Sequence, residues 1–353
     1  MKTIINPDLP LMSHIEIVKN LCIETPTYTA IQRELRRTLR ENATSSTPAC
    51  KHFIGHSRTG KSFAFREFEA GYPAKRTETG LKKEVIYAQA PVKGTIKGLM
   101  EALLMALGDP LWMVGTYSNM LARLLLLLER AGTKMIILDE FQHLVDKGQH
   151  TLLTGTTDWL KALVEPNTFS LVCVGLPSSK ALIFKSEQLR LRFDATIEVP
   201  AYDWTDPQSR KVFRSVLDAI QSQLSPFETP RLASPDIALR MFMACGGRIG
   251  LLSKLLDRAV KNAIWEDRTA IRLEDLHDAF STAIWFADAA PMKDGPFLGT
   301  LDAGRTTDLC TRFMRLAAEV PHEEADLRTH LGTLDAKPVK ASRVRRELAK
   351  AVA

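Results

Sequence analysis

Gly55-His56-Ser57-Arg58-Thr59-Gly60-Lys61-Ser62 satisfies the pattern G-x-x-x-x-G-K-[ST] at every fixed position. Glycines in such a stretch let the backbone curl so that successive N–H groups converge on phosphate oxygens with no Cβ in the way. Gly55 to Ser62 are therefore the expected phosphate cradle. Lys61 would be the cation reaching the β- and γ-phosphates, and the Ser62 hydroxyl would be a ligand of Mg²⁺. Cys50-Lys51-His52-Phe53-Ile54 ahead of the stretch reads as a short strand. Phe63-Ala64-Phe65-Arg66-Glu67-Phe68 behind it opens a helix whose N-terminal dipole also favours an anion. At average glycine usage, all four fixed positions match by chance in a chain this long in about one case in a hundred. A glycine turn with a surface lysine is the weaker reading.

A second stretch points the same way. Met135-Ile136-Ile137-Leu138 is an apolar run suited to a buried parallel strand, and it ends in Asp139-Glu140. That places two carboxylates at the C-terminal edge of a sheet, where open α/β folds bind ligands. Asp139 is expected to hold Mg²⁺ through water and Glu140 to polarise the attacking water. Alone, such a run more often ends a strand in solvated acids. Downstream of a phosphate loop, with a helical region between, it reads as the second half of an ATP site.

The composition is that of an ordinary globular chain of 353 residues, 45% hydrophobic and 25% charged. The longest leucine run, Leu124 to Leu128, is far short of a membrane span, and Met1 to Leu11 lacks the basic-then-apolar order of a signal peptide. No membrane association is expected. Five cysteines (Cys22, Cys50, Cys173, Cys245, Cys310) without C-x-x-C spacing argue for free thiols in a reducing cytoplasm. A net charge of +6 suggests a polyanionic partner without establishing one. Arg33, Arg36, Arg37 and Arg40 form one basic cluster; Lys337, Lys340, Arg343, Arg345, Arg346 and Lys350 form another. Solvated helix faces and a soluble tail explain them equally well.

Periodicity gives four parts: an N-terminal extension (1–48), an α/β core (49–203), an all-helical segment (204–287), and a linker with a C-terminal tail (288–353). Residues 1 to 26 read as extended or irregular. A helix is expected over Thr27 to Glu41, a strand at Val85 to Ala88, and helices over Ile96 to Leu107 and from about Ser118 to Arg130. Trp159 to Val164 belongs to a helix, Phe169 to Gly175 is a strand, and Ala195 to Val199 is the last one. Alternating strands and helices imply a mainly parallel sheet with helices on both faces. Asp206-Pro207 and Ser234-Pro235 then start helices, and Leu251 to Val260 and Leu273 to Phe286 complete a set of four. Ala287 to Gly299 reads as a linker, and 300 to 353 as a weakly patterned tail.

A parallel-sheet core with a four-helix lid is similar to the AAA+ ATPases. Arg190 and Arg192, in Leu189-Arg190-Leu191-Arg192-Phe193-Asp194, stand where an AAA+ arginine reaches the γ-phosphate held by a neighbouring subunit. Arg192, which precedes Phe, is the first choice and Arg190 the reserve; a pair of surface arginines is the bland alternative. Gly175-Leu176-Pro177-Ser178 offers no Asn or Thr where such strands carry a γ-phosphate sensor, and Ser178 is a weak substitute. Gly246-Gly247-Arg248-Ile249-Gly250-Leu251 resembles the G-x-x-R turn with its arginine two positions early, so Arg248 is either a phosphate contact or a solvated residue of a turn.

Ile137-Leu138-Asp139-Glu140-Phe141-Gln142-His143-Leu144 resembles the TniB/TnsC group of transposition ATPases, which carry DEFQHL after the same strand. The resemblance spans roughly residues 25 to 285. It implies an α/β P-loop AAA+ core with a C-terminal all-helical lid, the cofactors ATP and Mg²⁺, and a bacterial, cytoplasmic, DNA-associated regulator. It further implies a homo-oligomer, as a ring or helical filament, on double-stranded DNA, connecting a TniQ-like target selector to a DDE transposase. Lys93 and Lys97, with Lys147 third, are the expected DNA-facing residues, though each alone is as well read as a solvated lysine. A protein-remodelling AAA+ ATPase and a weakly hydrolysing nucleotide-binding scaffold are the alternatives.

Overall fold

A computed structural model describes residues 11–44, 48–78, 80–92, 95–144, 150–165, 168–184, 186–301 and 303–318. Lys93, Lys147 and the basic cluster Lys337 to Lys350 lie outside the described residues.

In chain order the elements are α1 (Pro26–Thr44), β1 (Lys51–Ile54), α2 (Lys61–Ala70), the hairpin β2 (Lys75–Thr77) and β3 (Gly80–Lys82), and β4 (Val85–Gln89). Next come α3 (Ile96–Ala106), α4 (Tyr117–Ala131), β5 (Met135–Asp139), α5 (His150–Val164), β6 (Ser170–Gly175), α6 (Lys180–Phe184), α7 (Glu187–Arg192) and β7 (Ile197–Glu198). The helical part is α8 (Pro207–Gln223), α9 (Pro235–Cys245), α10 (Ile249–Trp265), α11 (Leu273–Ala283), α12 (Gly295–Leu298) and α13 (Thr306–Ala318).

Five strands form one parallel sheet in the order β4-β5-β6-β1-β7. The apolar strands β1, β5 and β6 lie inside it, buried along their whole length. The two-residue period of a strand sends alternate side chains to opposite faces. Ile136 and Leu138 join Leu99, Leu103, Leu124 and Trp159 on the face covered by α3, α4 and α5. Ile137 joins Phe53, Phe65, Val172 and Leu35 on the face covered by α1 and α2. A strand order that reverses between β1 and β5 leaves β1 and β5 ending on either side of β6, and their carboxyl ends open to ligand.

The structure departs from the sequence reading in several places, the first being two short helices, α6 and α7, between β6 and β7. The hairpin β2–β3 carries Lys75, Arg76 and Lys82 exposed; with no buried face it leaves no alternating apolar signal. The last strand is two residues long rather than five: only Ile197 and Glu198 pair in register with β1, and the Val199 N–H adds one bond to the Ile54 carbonyl before Pro200, which has no N–H to give. The N-terminal segment is not wholly irregular: Leu11–His14 is a helical turn, and Ile17 and Val18 are buried against the helical layer. Segment 288–318 is neither linker nor loose tail. Phe297, Leu309, Phe313 and Ala317 are buried in the core of the helical layer, the last three at helical spacing on α13. Intervening Thr and Arg residues dilute that pattern when it is read as composition. No helix among the described residues is long and apolar enough to cross a membrane, and all five cysteines are unpaired.

Candidate nucleotide site

β1 delivers the chain to the centre of the sheet edge, where the Gly55 N–H donates to the Gly175 carbonyl at the end of β6 (3.1 Å). From there the loop curls through two left-handed residues, Arg58 (φ 65°) and Gly60 (φ 90°). α2 starts at Lys61 with no side chain capping its first turn, so these N–H groups face the cavity in front of the loop. That cavity, about 380 Å³, is lined by Ser57, Lys61, Ser62, Asp139, Glu140 and Gly250 among others. Lys61 is buried, and its Nζ donates to the Gly55 and His56 carbonyls at 2.6 Å each. Burial, helped by the nearby Arg248 charge and opposed by Asp139 and Glu140, lowers its pKa to about 8.

Asp139 and Glu140 end β5, one strand removed from β1. Asp139 is 1% exposed. Its Oδ1 accepts the Glu140 N–H (2.8 Å) and its Oδ2 accepts the Tyr87 hydroxyl (2.6 Å). Tyr87, on neighbouring β4, is pushed up to about 12 by burial and by the Asp139 charge, which keeps the phenol a donor. Arg66 and Gln89 donate in turn to the Tyr87 oxygen. Tyr87 was not singled out in the sequence, because register (Tyr87 beside Ile137, Gln89 beside Asp139) is what brings it there. Among the described residues no cluster of three His, Cys, Asp or Glu gathers around a metal position. One hydroxyl, Ser62, and one carboxylate, Asp139, on the same cavity suit Mg²⁺, which keeps waters and takes its other ligands from phosphate oxygens.

Glu140 has φ 54°, a left-handed conformation costly for a residue with a Cβ, and it turns the side chain back toward the cavity. The Gln142 amide Nε2 donates to Glu140 Oε2, and Gln142 Oε1 accepts the Leu176 N–H (3.0 Å). His143 sits farther off, its Nε2 3.9 Å from Glu140 Oε2.

The helical layer touches the loop directly. Arg248 is 2% exposed and donates from Nη1 to the Ser57 carbonyl (2.6 Å), so it is no solvated turn residue. Gly250 N–H donates to the Arg58 carbonyl (2.8 Å), and a Cβ on Gly250 would stand 3.0 Å from that oxygen. The glycine lets the start of α10 lie on the loop. Burial lowers the Arg248 pKa. Behind the loop an apolar recess of about 210 Å³ is lined by Ile23, Tyr28, Gly60, Phe63, Ile220 and Ile249. It adjoins Gly60, and its lining is mainly apolar, the character a nucleobase favours. Because its walls come from the N-terminal segment, the loop and the helical layer, no local motif announces it.

Arg190 and Arg192 fall on the last turn of α7, ahead of β7. Arg190 is exposed, whereas Arg192 Nη1 donates to the Val164 carbonyl at the end of α5 (2.9 Å). Lys97 is exposed on the first turn of α3, 3.8 Å from Glu101.

Beside the site, buried His52 of β1 bridges Ser179 Oγ (Nε2, 2.9 Å) and Thr196 Oγ1 (Nδ1, 3.2 Å). Burial, with the Lys180 charge adding to it, lowers its pKa to about 4. The unfolded chain takes up this proton near pH 6.5 and the folded chain only near 4. Stability is therefore full above 6.5 and falls as pH drops toward 4, by about 2 kcal/mol at pH 5. Urea unfolding at pH 7.5 and 5.0 checks this: the His52→Gln variant should lose that much less between the two pH values than the parent. Equal losses in both proteins would remove His52 as the cause.

The family model of the bacterial TniB protein matches residues 15–203. No curated protein matches the chain. Among solved structures it is similar to the Aeropyrum pernix ORC1 protein in complex with DNA, at TM-score 0.55 and 18% identity over 75% of this chain and 68% of that one. It is also similar to Cdc6p from Pyrobaculum aerophilum, at TM-score 0.56 and 15% identity over 76% and 71%. The ORC2 protein of Aeropyrum pernix, in its ADPNP–ADP complexes, gives TM-score 0.55 and 14% identity over 90% and 88%. Identities this low speak for the fold alone: a P-loop AAA+ core carrying a C-terminal helical lid.

Proposed function

The chain belongs to the TniB family, and from that premise we propose that it is an ATP-dependent, DNA-binding regulator of transposition. In this reading it oligomerises on duplex DNA and links a TniQ-like target selector to a DDE transposase. The observation that carries the ATPase part is the convergence of Lys61, Ser62, Asp139 and Glu140 on one cavity at the carboxyl edge of the sheet. The loop N–H groups and Lys61 hold the phosphates, and Arg248 braces the loop from behind. Ser62 and Asp139 would hold Mg²⁺, which would supply positive charge to the triphosphate. Glu140 takes a proton from water as its oxygen bonds to the γ-phosphorus. The bond from that phosphorus to the β–γ bridging oxygen breaks, and ADP leaves with the electron pair.

The charge supplied by a neighbouring subunit falls to Arg190. Arg192, the first choice from sequence, has an internal partner in the Val164 carbonyl, while Arg190 is exposed on the last turn of α7. A residue acting across subunits demands head-to-tail packing, which closes as a ring or continues as a helix. Arg190→Ala should leave ATP affinity of the free chain within about twofold and lower hydrolysis in assemblies by 10³-fold or more, the scale of a trans arginine. Arg192→Ala should instead cost about 1 kcal/mol of stability, one hydrogen bond. If the two variants exchange these outcomes, the trans role returns to Arg192.

For DNA, the proposed contacts are Lys93, Lys97 and Lys147, whose phosphate attraction would weaken as salt rises. The deciding measurement is binding of a fluorescent duplex at low salt with ATP, with ADP and with no nucleotide, followed by negative-stain imaging. ATP-dependent binding and ordered assemblies support the reading; no binding under any of the three conditions defeats it. A weakly hydrolysing scaffold is the second reading, favoured by Leu176 where a polar sensor is usual. A turnover rate indistinguishable from the Glu140→Gln variant would favour it.

A further inference from the structure

We infer that Gln142 is the positioning residue for hydrolysis, tying the base Glu140 to the end of β6 in place of a polar side chain on that strand. This rests on the ATPase reading above.

Gln142 is 3% exposed, yet both ends of its amide are used. The NH₂ group donates to Glu140 Oε2 and the carbonyl accepts the N–H of Leu176, 34 residues away in the chain. A carboxamide has one donor end and one acceptor end, so these two partners fix its orientation. Turned over, it would set its oxygen against a carboxylate and its NH₂ against an N–H. Glu140 therefore cannot swing without disturbing either the amide or the Leu176 peptide.

Leu176 is also held through its carbonyl, in the next peptide group. The Leu176 carbonyl accepts from Ser179 Oγ (2.6 Å) and Ser179 N–H (3.0 Å), and Ser179 Oγ is bonded to His52. Space for the amide is made at Gly175, where a Cβ would stand 2.8 Å from Gln142 Oε1. Gly175 and Leu176 both line the phosphate cavity. The end of β6 thus carries no polar side chain toward the γ-phosphate position, but its main chain reaches the base through Gln142. Strand and base are coupled by a side chain that follows the acidic pair by two residues.

The test uses the full chain with ATP, Mg²⁺ and duplex DNA. Gln142→Met keeps length and volume and removes both hydrogen bonds. Its KM and its affinity for ADP should stay within about twofold of the parent, while kcat falls about 10- to 100-fold. Combined with Glu140→Gln, it should add less than about twofold to the loss, because a residue acting through Glu140 has nothing further to remove. Gly175→Ala attacks the same contact from the opposite side and should also lower kcat with KM unchanged. Parental kcat in Gln142→Met and Gly175→Ala overturns the inference, as does a loss that multiplies fully with that of Glu140→Gln. A parent chain that hydrolyses no ATP overturns the ATPase reading itself, a result distinct from either.

Discussion

Lys61→Ala is expected to weaken ATP binding at least 100-fold. The ammonium is already buried and aimed, held by the Gly55 and His56 carbonyls at the mouth of the phosphate cavity. Burial keeps water from screening it, so contact with a triphosphate is of the charge-assisted kind. Two such bonds, at about 1.5–3 kcal/mol each, amount to two or more decades of affinity. The variant also leaves two loop carbonyls without their donor, which loosens the curl of the cradle. Titration with a fluorescent ATP analogue, alongside a melting curve to exclude unfolding, is the measurement. Affinity within threefold of the parent would remove Lys61 from the phosphate role.

Glu140→Gln should leave binding nearly unchanged and act on turnover. Affinity for ATP should stay within about threefold, because the carboxylate is not needed to hold phosphate. Hydrolysis should fall about 10²- to 10⁴-fold, the usual contribution of a general base. The geometry favours a clean result: the new amide oxygen can still accept from Gln142, and the Glu140 N–H bond to Asp139 is untouched. Assemblies formed on DNA with ATP should then persist longer than those of the parent. Single-turnover phosphate release and the lifetime of DNA-bound species read the two effects separately. Normal phosphate release would refute the base assignment.

What the sequence disclosed and what it hid follow a physical line. The cradle and the acidic pair are contiguous stretches whose residue types are dictated by local backbone chemistry, and apolar runs marked the strands that carry them. The fold followed from their alternation with helices. Tyr87, the partner of Gln142 and the apolar recess depend on residues that meet only across strands or between layers, so no spacing rule reaches them. Sequence leaves Arg248 open between a phosphate contact and a solvated turn residue, and only the fold shows it buried against Ser57. Arg192 matches a motif, but the motif says nothing of the bond that its Nη1 donates to the Val164 carbonyl. The helical spacing of Leu309, Phe313 and Ala317 was present in the sequence, but the polar residues between them masked it.

The junction of Arg248 and Gly250 with the loop has a mechanical meaning. Two main-chain carbonyls of the cradle, those of Ser57 and Arg58, are bonded to the first residues of a 17-residue helix. A turn of those peptides would be passed to α10 through these two bonds. A rod of this length is about 25 Å long, so a tilt of about 5° at its root carries its tip about 2 Å. α10 is thus joined to the loop as a lever arm to its root, so a displacement of the Ser57 and Arg58 peptides is enlarged along the helix.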